Sequence, residues 1–393
     1  MYLVSRLRQA RSQHTLLQVL LLCRSRLAED RRDKIYAVLG LYISHGVEQI
    51  KPDYILPPRE VYLKVARMLI ESSTGLELLT HVFSSHQTSD LPSWVPDWSQ
   101  ADYNNPNSFF SAPNYLNYYN ACGSAGLEVE FVEDILSVCA IVIDTISACG
   151  PMIRLPDGKG KLRPKEYNIL TDFLQWESLA GLRHTETPPY FSGPDNICDA
   201  FWRTMIMDVW HDYQGGRHRR ALPADYQAYL KWRPWFEECT RPGGDPDDSL
   251  YTTEVQDLDI YAFDVEILTQ NSVRRFFRTE KGHIGMGPME MQKGDHVMVL
   301  AGAKQTFVMR PSTAKGADPT PSRSYKSSPL EIGKRSTVRE DTKPSGEQPS
   351  QLASKAIDEG NIDDFTLVGF SYLHGFMTGE ATVNSNWRKI HIK

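Results

Sequence analysis

Two groups of strand-like segments bracket a long stretch of helical periodicity, and this arrangement constrains the fold more than any other sequence feature. β-Branched and aliphatic residues dominate residues 127–149, where Glu133 and Asp134 are predicted to form a turn, and further strand-like segments follow between 275 and 372. Between the two groups, apolar residues recur at helical spacing. Because strands distant in sequence must pair to bury their apolar sides, we predict a small β-barrel interrupted by an α-helical insertion.

The same patterns divide the chain into helical and β-rich regions, which gives an α+β fold class. Asp30 is placed to cap a helix that begins near Arg31, and a second helix is predicted after Pro57. The predicted regions are a helical region at 1–100, a linker at 101–126, first strands at 127–164, the α-helical insertion at 165–270, a β-rich region at 271–311, a disordered low-complexity loop at 312–361, and a final strand with a tail at 362–393.

Charge and cysteine content exclude several classes of function. The formal net charge is −6 with both signs interspersed, which does not suit a nucleic-acid surface, and the basic cluster at 217–220 is predicted to be a solvated loop. The six scattered cysteines include no C-x-x-C pair, which is typical of reduced thiols in a large intracellular chain. The apolar run at 16–23 is far shorter than the roughly 20 residues of a spanning helix. We therefore predict a cytoplasmic protein without nucleic-acid or membrane partners.

No catalytic motif is recognisable in the sequence. It contains no G-x-S-x-G, P-loop or H-E-x-x-H pattern, and Cys and His show no metal-ligand spacing. His374 follows the segment predicted as the final strand, but no Ser, Cys or carboxylate is identifiable as its catalytic partner. Asp295, which follows Gly294, is predicted to be a turn residue that enters a strand. The sequence thus predicts no cofactor, no metal and no catalysis by this chain.

The segment 91–99 contains two prolines and two tryptophans, and it is open to two interpretations. Pro92 and Pro96 bar a helix interior or a central strand, so the segment is predicted to be an extended loop that carries Trp94 and Trp98. Exposed tryptophans would form a recognition surface, since Trp is enriched at binding hot spots. Buried tryptophans would instead fix the helical region onto the barrel, an interpretation that the stiffness of the two prolines favours.

Several blocks along the chain together resemble the fungal heterokaryon-incompatibility (HET) family. Residues 32–41 resemble its "RDKVYALLGL" block, 52–54 its "PDY" element, 91–98 its "LPSWVPDW" block, 294–300 its "GDxVxVLxG" stretch, 307–311 its "PFVLRP" stretch and 368–381 its "LVGxxYVHGIMDGEA" stretch. The positions that carry the resemblance are Arg32, Asp33, Tyr36, Pro52, Asp53, Tyr54, Pro92, Trp94, Pro96, Asp97, Trp98, Gly294, Asp295, Arg310, Pro311, His374, Gly375, Gly379 and Glu380.

This resemblance implies a role in non-self recognition, in which incompatible fungal cells that fuse trigger cell death through protein partners. The "Y-x-ALSYxWG" and "WIDALCINQ" elements of the family core do not occur here, so we expect a recognition or regulatory region without its own catalysis. The family core is distantly similar to TIR signalling domains. The alternatives are therefore a nucleotide-consuming cell-death effector whose active core lies outside this sequence, or a degenerate copy. A truncated gene model and a genuine short form both fit the missing core.

Arg32 with Asp33 is predicted to form a helix cap and a local salt bridge.

Overall fold

A computed structural model describes residues 15–39, 50–72, 75–82, 90–100, 118–152, 169–182, 196–212, 217–240, 257–271, 274–312, 363–383 and 386–393. Across these residues the chain combines helices with a large sheet that closes on itself, so it is the α+β protein with a β-barrel that the sequence predicts. Except for residue 312, the predicted disordered loop at 312–361 lies outside the described residues. No helix in the described ranges has the length and apolar character needed to cross a bilayer.

The N-terminal helices form a helical lobe from residue 15 to residue 100. Its helices are α1 (Leu16–Cys23), α2 (Asp33–Leu39) and α3 (Pro58–Glu71), followed by a 3-10 helix (Gly75–His81). A capping box fixes the start of α1, because the Thr15 hydroxyl accepts from the Gln18 amide while the Gln18 side chain accepts from the Thr15 amide. The inner faces of these helices join the main hydrophobic core of the molecule.

The remaining helices and strands build the barrel and its insertion. The strands are β1 (Val129–Val132), β2 (Ile135–Met152), β3 (Val209–Asp212), β4 (Arg217–Arg220), β5 (Arg274–Thr279), β6 (Ile284–Pro288), β7 (His296–Leu300), β8 (Thr306–Pro311), β9 (Asp363–Leu373) and β10 (Arg388–Ile392). The insertion helices are α4 (Ile169–Ala180), α5 (Ile197–Met205), α6 (Tyr226–Thr240) and α7 (Leu258–Asn271).

Two long strands, β2 and β9, close the barrel. On one side they are linked through β7 and β8, which pair antiparallel with each other and with β2 and β9 respectively. On the other side, the gap between β2 and β9 is filled at one end by the β5–β6 hairpin and at the other end by β10. The strands β2, β5, β6, β9, β8 and β7 thus form a closed ring, and β10 fills the remaining gap between β2 and β9.

The predicted tail after residue 373 contains β10, an element that the sequence analysis missed. Ile390 and Ile392 are fully buried and alternate with charged residues, which is the period of a strand with one buried face. The segment is only five residues long, so this alternation is a weak signal. Similarly, the described part of the predicted linker is packed rather than free: Tyr119 and Ala121 are buried, and the Asn120 amide donates to the Met377 carbonyl (2.8 Å).

The insertion packs on the barrel through aromatic rings. Trp176 of α4 stacks on Phe276 of β5, with ring centroids 5.9 Å apart, and its indole N–H donates to the Pro151 carbonyl at 2.9 Å. Gly150 makes this approach possible, because a Cβ there would lie 2.6 Å from the Trp176 ring. A side chain at this position would therefore push the insertion away from the barrel.

The insertion also contains a β3–β4 hairpin, which corrects two expectations from the sequence. Val209 falls within the predicted α-helical insertion but lies in β3, because the backbone reverses at Met207 and Asp208, whose φ angles are +50° and +56°. The basic cluster at 217–220 is strand β4 rather than a solvated loop. Its Arg219 pairs with Asp225 at 2.6 Å, and Arg220 pairs with Asp208, so internal carboxylates neutralise these charges.

Candidate functional site

The motif residues form four contact groups rather than one cluster. One group surrounds α2 and the loop before α3, a second lies where the helical lobe meets the barrel, a third bridges β7 and β8, and a fourth follows β9. In that order the groups contain Arg32, Asp33, Tyr36, Pro52, Asp53 and Tyr54; Pro92, Trp94, Pro96, Asp97 and Trp98; Gly294, Asp295, Arg310 and Pro311; and His374, Gly375, Gly379 and Glu380.

Arg32 fixes the loop of residues 52–57, here called the Tyr54 loop. Its guanidinium donates to the Leu56 carbonyl at 3.0 Å and to the Tyr54 carbonyl, and it lies 5.2 Å from the centre of the Tyr54 ring. The same guanidinium pairs with Asp30 at 2.7 Å, so the local salt bridge predicted here joins Arg32 to Asp30. Asp33 instead accepts a hydrogen bond from the Tyr54 hydroxyl at 2.6 Å, which raises the pKa of that phenol.

Tyr36 and Asp53 complete the support of the Tyr54 loop. The Tyr36 hydroxyl donates to the Asp53 carbonyl at 3.0 Å, and its ring meets the Tyr54 ring edge-on at 5.3 Å. The Asp53 carboxylate accepts from the Ile55 amide at 2.9 Å. Held in this way, the loop leaves Ile55 94% exposed and Tyr54 53% exposed. The motif residues therefore build a constrained loop that presents apolar surface to solvent.

The tryptophans of the second group are buried, so the segment that carries them is a docking element. Trp94 is 0% exposed and Trp98 is 1% exposed. The Trp94 indole N–H donates to the Asp134 carbonyl at 2.8 Å in the β1–β2 turn, and its ring lies 5.5 Å from Phe131 of β1. These contacts support the structural interpretation of the segment and correct the expectation that the loop displays its aromatic rings.

Asp97 and Arg24 tie this segment to α1. The buried Arg24 guanidinium donates to the carbonyls of His81 (2.8 Å) and Asp97 (3.1 Å), while the Asp97 carboxylate accepts from the Ser99 amide at 2.9 Å and lies 3.6 Å from Arg31. Burial, followed by the nearby Arg24 charge, lowers the pKa of His81 to about 3, so His81 is neutral. The sequence analysis missed Arg24, which has the ordinary appearance of a charged residue after a helix.

Ser93 is the second important residue that the sequence analysis missed. Its amide donates to the Lys393 carbonyl at 2.9 Å and its hydroxyl makes a second bond to the same oxygen, while the Leu367 amide of β9 donates to the Ser93 hydroxyl at 2.9 Å. Ser93 thus joins the helical lobe, β9 and the end of β10. Its position between Pro92 and Trp94 is the only sequence signal, because its partners lie 274 and 300 residues away.

The third group is an ion pair between the buried Asp295, just before β7, and the partly exposed Arg310 of β8. Arg310 donates to both oxygens of Asp295 at 2.8 and 2.9 Å, and Asp295 is 1% exposed. Asp295 also accepts from the Gln292 amide at 2.8 Å, and Gly294 enters the turn with a φ of +94°, a conformation that favours glycine. Asp295 therefore lies in a turn at the start of a strand.

The fourth group shapes the chain reversal after β9. The buried His374 ring is hydrogen-bonded through Nδ1 to the Tyr372 hydroxyl at 2.9 Å. The backbone amide of His374 donates to the Ile284 carbonyl of β6. Gly375 and Gly379 have φ angles of +81° and +104°. The Glu380 carboxylate accepts from the Thr378 amide at 2.7 Å, which closes the turn that leads toward β10.

Several acidic groups and thiols among the described residues have pKa values that burial raises. Within these ranges no group of three or more His, Cys, Asp or Glu side chains is arranged to hold a metal ion. Burial raises the pKa of the Cys122, Cys139 and Cys149 thiols, which makes them poor nucleophiles at neutral pH. Burial also raises the pKa of Asp264 to about 6 and of Glu266 to about 7; both lie on α7, away from the motif residues.

Comparison with known proteins finds similarity to heterokaryon-incompatibility sequences. Residues 133–319 match the Het-6 β-barrel domain. The chain is 24% identical over 327 residues to heterokaryon incompatibility protein 6, OR allele, of Neurospora crassa, and the match covers 73% of this chain. The match covers 46% of that relative, so the chain spans about half of its length. No solved structure matches the chain.

Proposed function

We propose that this chain, which matches the Het-6 β-barrel domain over residues 133–319 and is similar to a heterokaryon incompatibility protein, acts in fungal non-self recognition as a recognition or regulatory region. It works through contacts with a protein partner, and the partner's response is the programmed death of incompatible fused cells. The chain contributes no catalysis of its own.

The observation that carries this proposal is the Tyr54 loop. Arg32, Asp33 and Tyr36 hold its backbone and its tyrosine ring, yet Ile55 at its tip is 94% exposed. An exposed aliphatic side chain on a constrained loop loses little conformational entropy when a partner covers it. Tyr54, half exposed beside it, has the amphipathic ring that is common at binding hot spots.

The contacts of the ionisable motif residues support a role without catalysis. Asp33 holds the Tyr54 hydroxyl, Asp295 is bound by Arg310, and His374 is bonded to Tyr372. A general acid or base needs access to the substrate proton that it moves. Groups that are committed to structural partners in this way are better suited to fixing a surface than to proton transfer.

The test is co-expression with a heterokaryon-incompatibility protein that carries the family core, in a fungal host. We expect the chain alone to be non-toxic, to bind the core-bearing protein in co-immunoprecipitation, and to change the growth arrest that this protein causes. Ile55→Lys should abolish both effects, because it places a charge at the tip of the loop. Leu258→Lys is the matched control, since Leu258 is 70% exposed on the insertion and outside the loop.

Three outcomes would contradict the proposal. Co-expression that changes neither binding nor growth arrest would remove the regulatory role. NAD turnover by the purified chain would favour the alternative, a nucleotide-consuming effector. An unstable or unexpressed product would point to a degenerate copy.

A further inference from the structure

The strand β10 fills a slot between two longer strands. It pairs antiparallel with Leu136–Ala140 of β2 over five positions, and parallel with the first residues of β9 over three positions. Removing β10 would leave both neighbouring edges without their hydrogen-bond partners. Unpaired strand edges readily accept another strand.

The slot recognises its strand by alternating apolar and charged contacts. Ile390 and Ile392 point inward and are fully buried. The other residues of the segment are basic and face acids at the rim: Arg388, at the start of the strand, pairs with Asp363 at 2.8 Å, Lys389 pairs with Glu130 at 2.6 Å, and Asp364 faces both His391 (3.3 Å) and Lys393. The slot is thus complementary in shape and in charge to this particular sequence.

The contacts that hold the strand are of unequal strength. The rim ion pairs are exposed, with side-chain exposures of 46% on both sides for Arg388–Asp363, so they are weak and are screened by salt. The strand is also short, whereas the β2 and β9 edges belong to strands of 18 and 11 residues that pair elsewhere in the barrel. Most of the pairing of β2 and β9 therefore does not involve β10.

We propose that the slot between β2 and β9 accepts the β10 strand of a second copy of this chain, so that two copies exchange C-terminal strands. The charge complementarity selects this occupant, because a strand with inward isoleucines and outward basic residues is what the slot binds already. The exchange holds whether or not the chain regulates incompatibility.

Strand exchange also reaches the helical lobe through Ser93. The Ser93 amide and hydroxyl bind the carbonyl of Lys393, the residue that follows β10. After exchange, the helical lobe of one copy is fastened by the strand of the other copy. Dimer formation and the docking of the lobe are therefore coupled through one strand.

The first experiment is disulfide trapping in the full chain. Lys389 lies directly opposite Cys139 in the β2–β10 register, and directly opposed residues of antiparallel strands have Cβ atoms close enough for a disulfide. The single substitution Lys389→Cys should form an intramolecular disulfide with Cys139 in dilute protein under oxidised glutathione. After incubation at high concentration before oxidation, the same variant should give a covalent dimer on non-reducing gels, in a fraction that rises with concentration.

The controls decide whether the dimer arises in the slot. Adding Cys139→Ser to Lys389→Cys should remove the covalent dimer, and Lys389→Ser should show neither disulfide. Intramolecular disulfide alone at every concentration would overturn the proposal. A covalent dimer that persists after Cys139→Ser would overturn it as well, because the strands would then not be exchanged in the slot.

A second measurement uses the unmodified chain, so it does not depend on how a variant folds. A fluorescent peptide of residues 386–393 should bind the full chain by fluorescence polarisation, more weakly as salt is raised. A peptide with Arg388→Glu and Lys389→Glu should bind with an affinity lower by a factor of about ten, because two attractive pairs become repulsive. Equal binding of the two peptides, or no binding of either, would count against the slot.

Discussion

Trp94 and Trp98 are equally buried, but they differ in one hydrogen bond, and this difference gives a sharp prediction for phenylalanine substitutions. The Trp94 indole N–H donates to the Asp134 carbonyl at 2.8 Å, whereas Trp98 Nε1 has no hydrogen-bond partner among the described residues. Trp94→Phe keeps most of the apolar contact but removes the donor to a half-buried turn carbonyl, and the loss of this hydrogen bond costs about 0.5–1.5 kcal/mol. Trp98→Phe removes an N–H that is already unsatisfied, so only the volume term remains.

We therefore expect Trp94→Phe to lower the free energy of unfolding by about 1 kcal/mol more than Trp98→Phe does. Each alanine substitution should cost about 3–5 kcal/mol, since a fully buried Trp leaves a large cavity. Urea unfolding followed by far-UV circular dichroism measures the difference without relying on tryptophan fluorescence. Because a chain of this size can unfold in parts, hydrogen exchange at residues 93–98 should confirm that the lobe junction opens. Equal costs for the two phenylalanine variants would refute the assignment of the Trp94 bond as a structural anchor.

Three further predictions concern the barrel and the insertion. Asp295→Ala should lower the free energy of unfolding by about 2–4 kcal/mol in urea, and its cost should not add to that of Arg310→Ala, because each single variant breaks the same pair. Burial raises the folded-state pKa of Glu266 from 4.5 to about 7. Between these pH values the folded state binds more protons than the unfolded state, so the free energy of unfolding falls by roughly 3 kcal/mol as the pH rises through this range. Glu266→Gln should remove this pH dependence in unfolding measured from pH 4 to 8. Gly302 has a φ of +82°, and a Cβ there would lie 2.7 Å from the backbone of Leu127. Gly302→Ala should therefore lower the free energy of unfolding by about 1–3 kcal/mol, as measured by thermal unfolding. Gly126→Ala, which has open space around its Cβ, should change it little.

The barrel strands β1, β2 and β5 to β9 could be predicted from the sequence because their signals are local, whereas the β3–β4 hairpin of the insertion was not predicted. Runs of β-branched residues mark β2 and β7, and their buried faces in the structure match that pattern. The helices of the lobe could be predicted equally well, since α1 carries an apolar stripe with a capping residue before it. These elements need no knowledge of distant partners.

What the sequence could not supply is the set of contacts between distant segments. Ser93 shows nothing unusual by itself, and its role follows from Lys393 and Leu367, which arrive from the other end of the chain. The burial of Trp94 likewise depends on the position of the β1–β2 turn. The Tyr54 loop is a similar case, because the "PDY" element identifies a family without showing that Ile55 is exposed. Motif recognition thus located the residues, and only the structure separated those that face inward from those that face solvent.

The boundary of the matched Het-6 domain and the boundary of the folded barrel are different, and this difference leads to a final prediction. The match ends at residue 319, but β9 pairs with β8 along six positions and with β6 at two, and β10 completes the contact between β9 and β2. A fragment of residues 118–319 would leave the edges of β6 and β8 unpaired and apolar positions such as Phe307 without their β9 partners. We expect this fragment to aggregate, whereas residues 118–393 should give a cooperative unfolding transition. A soluble, monomeric 118–319 fragment with dispersed amide resonances would show that the barrel can close without its last two strands, and would remove the basis for assigning β10 a role in closure.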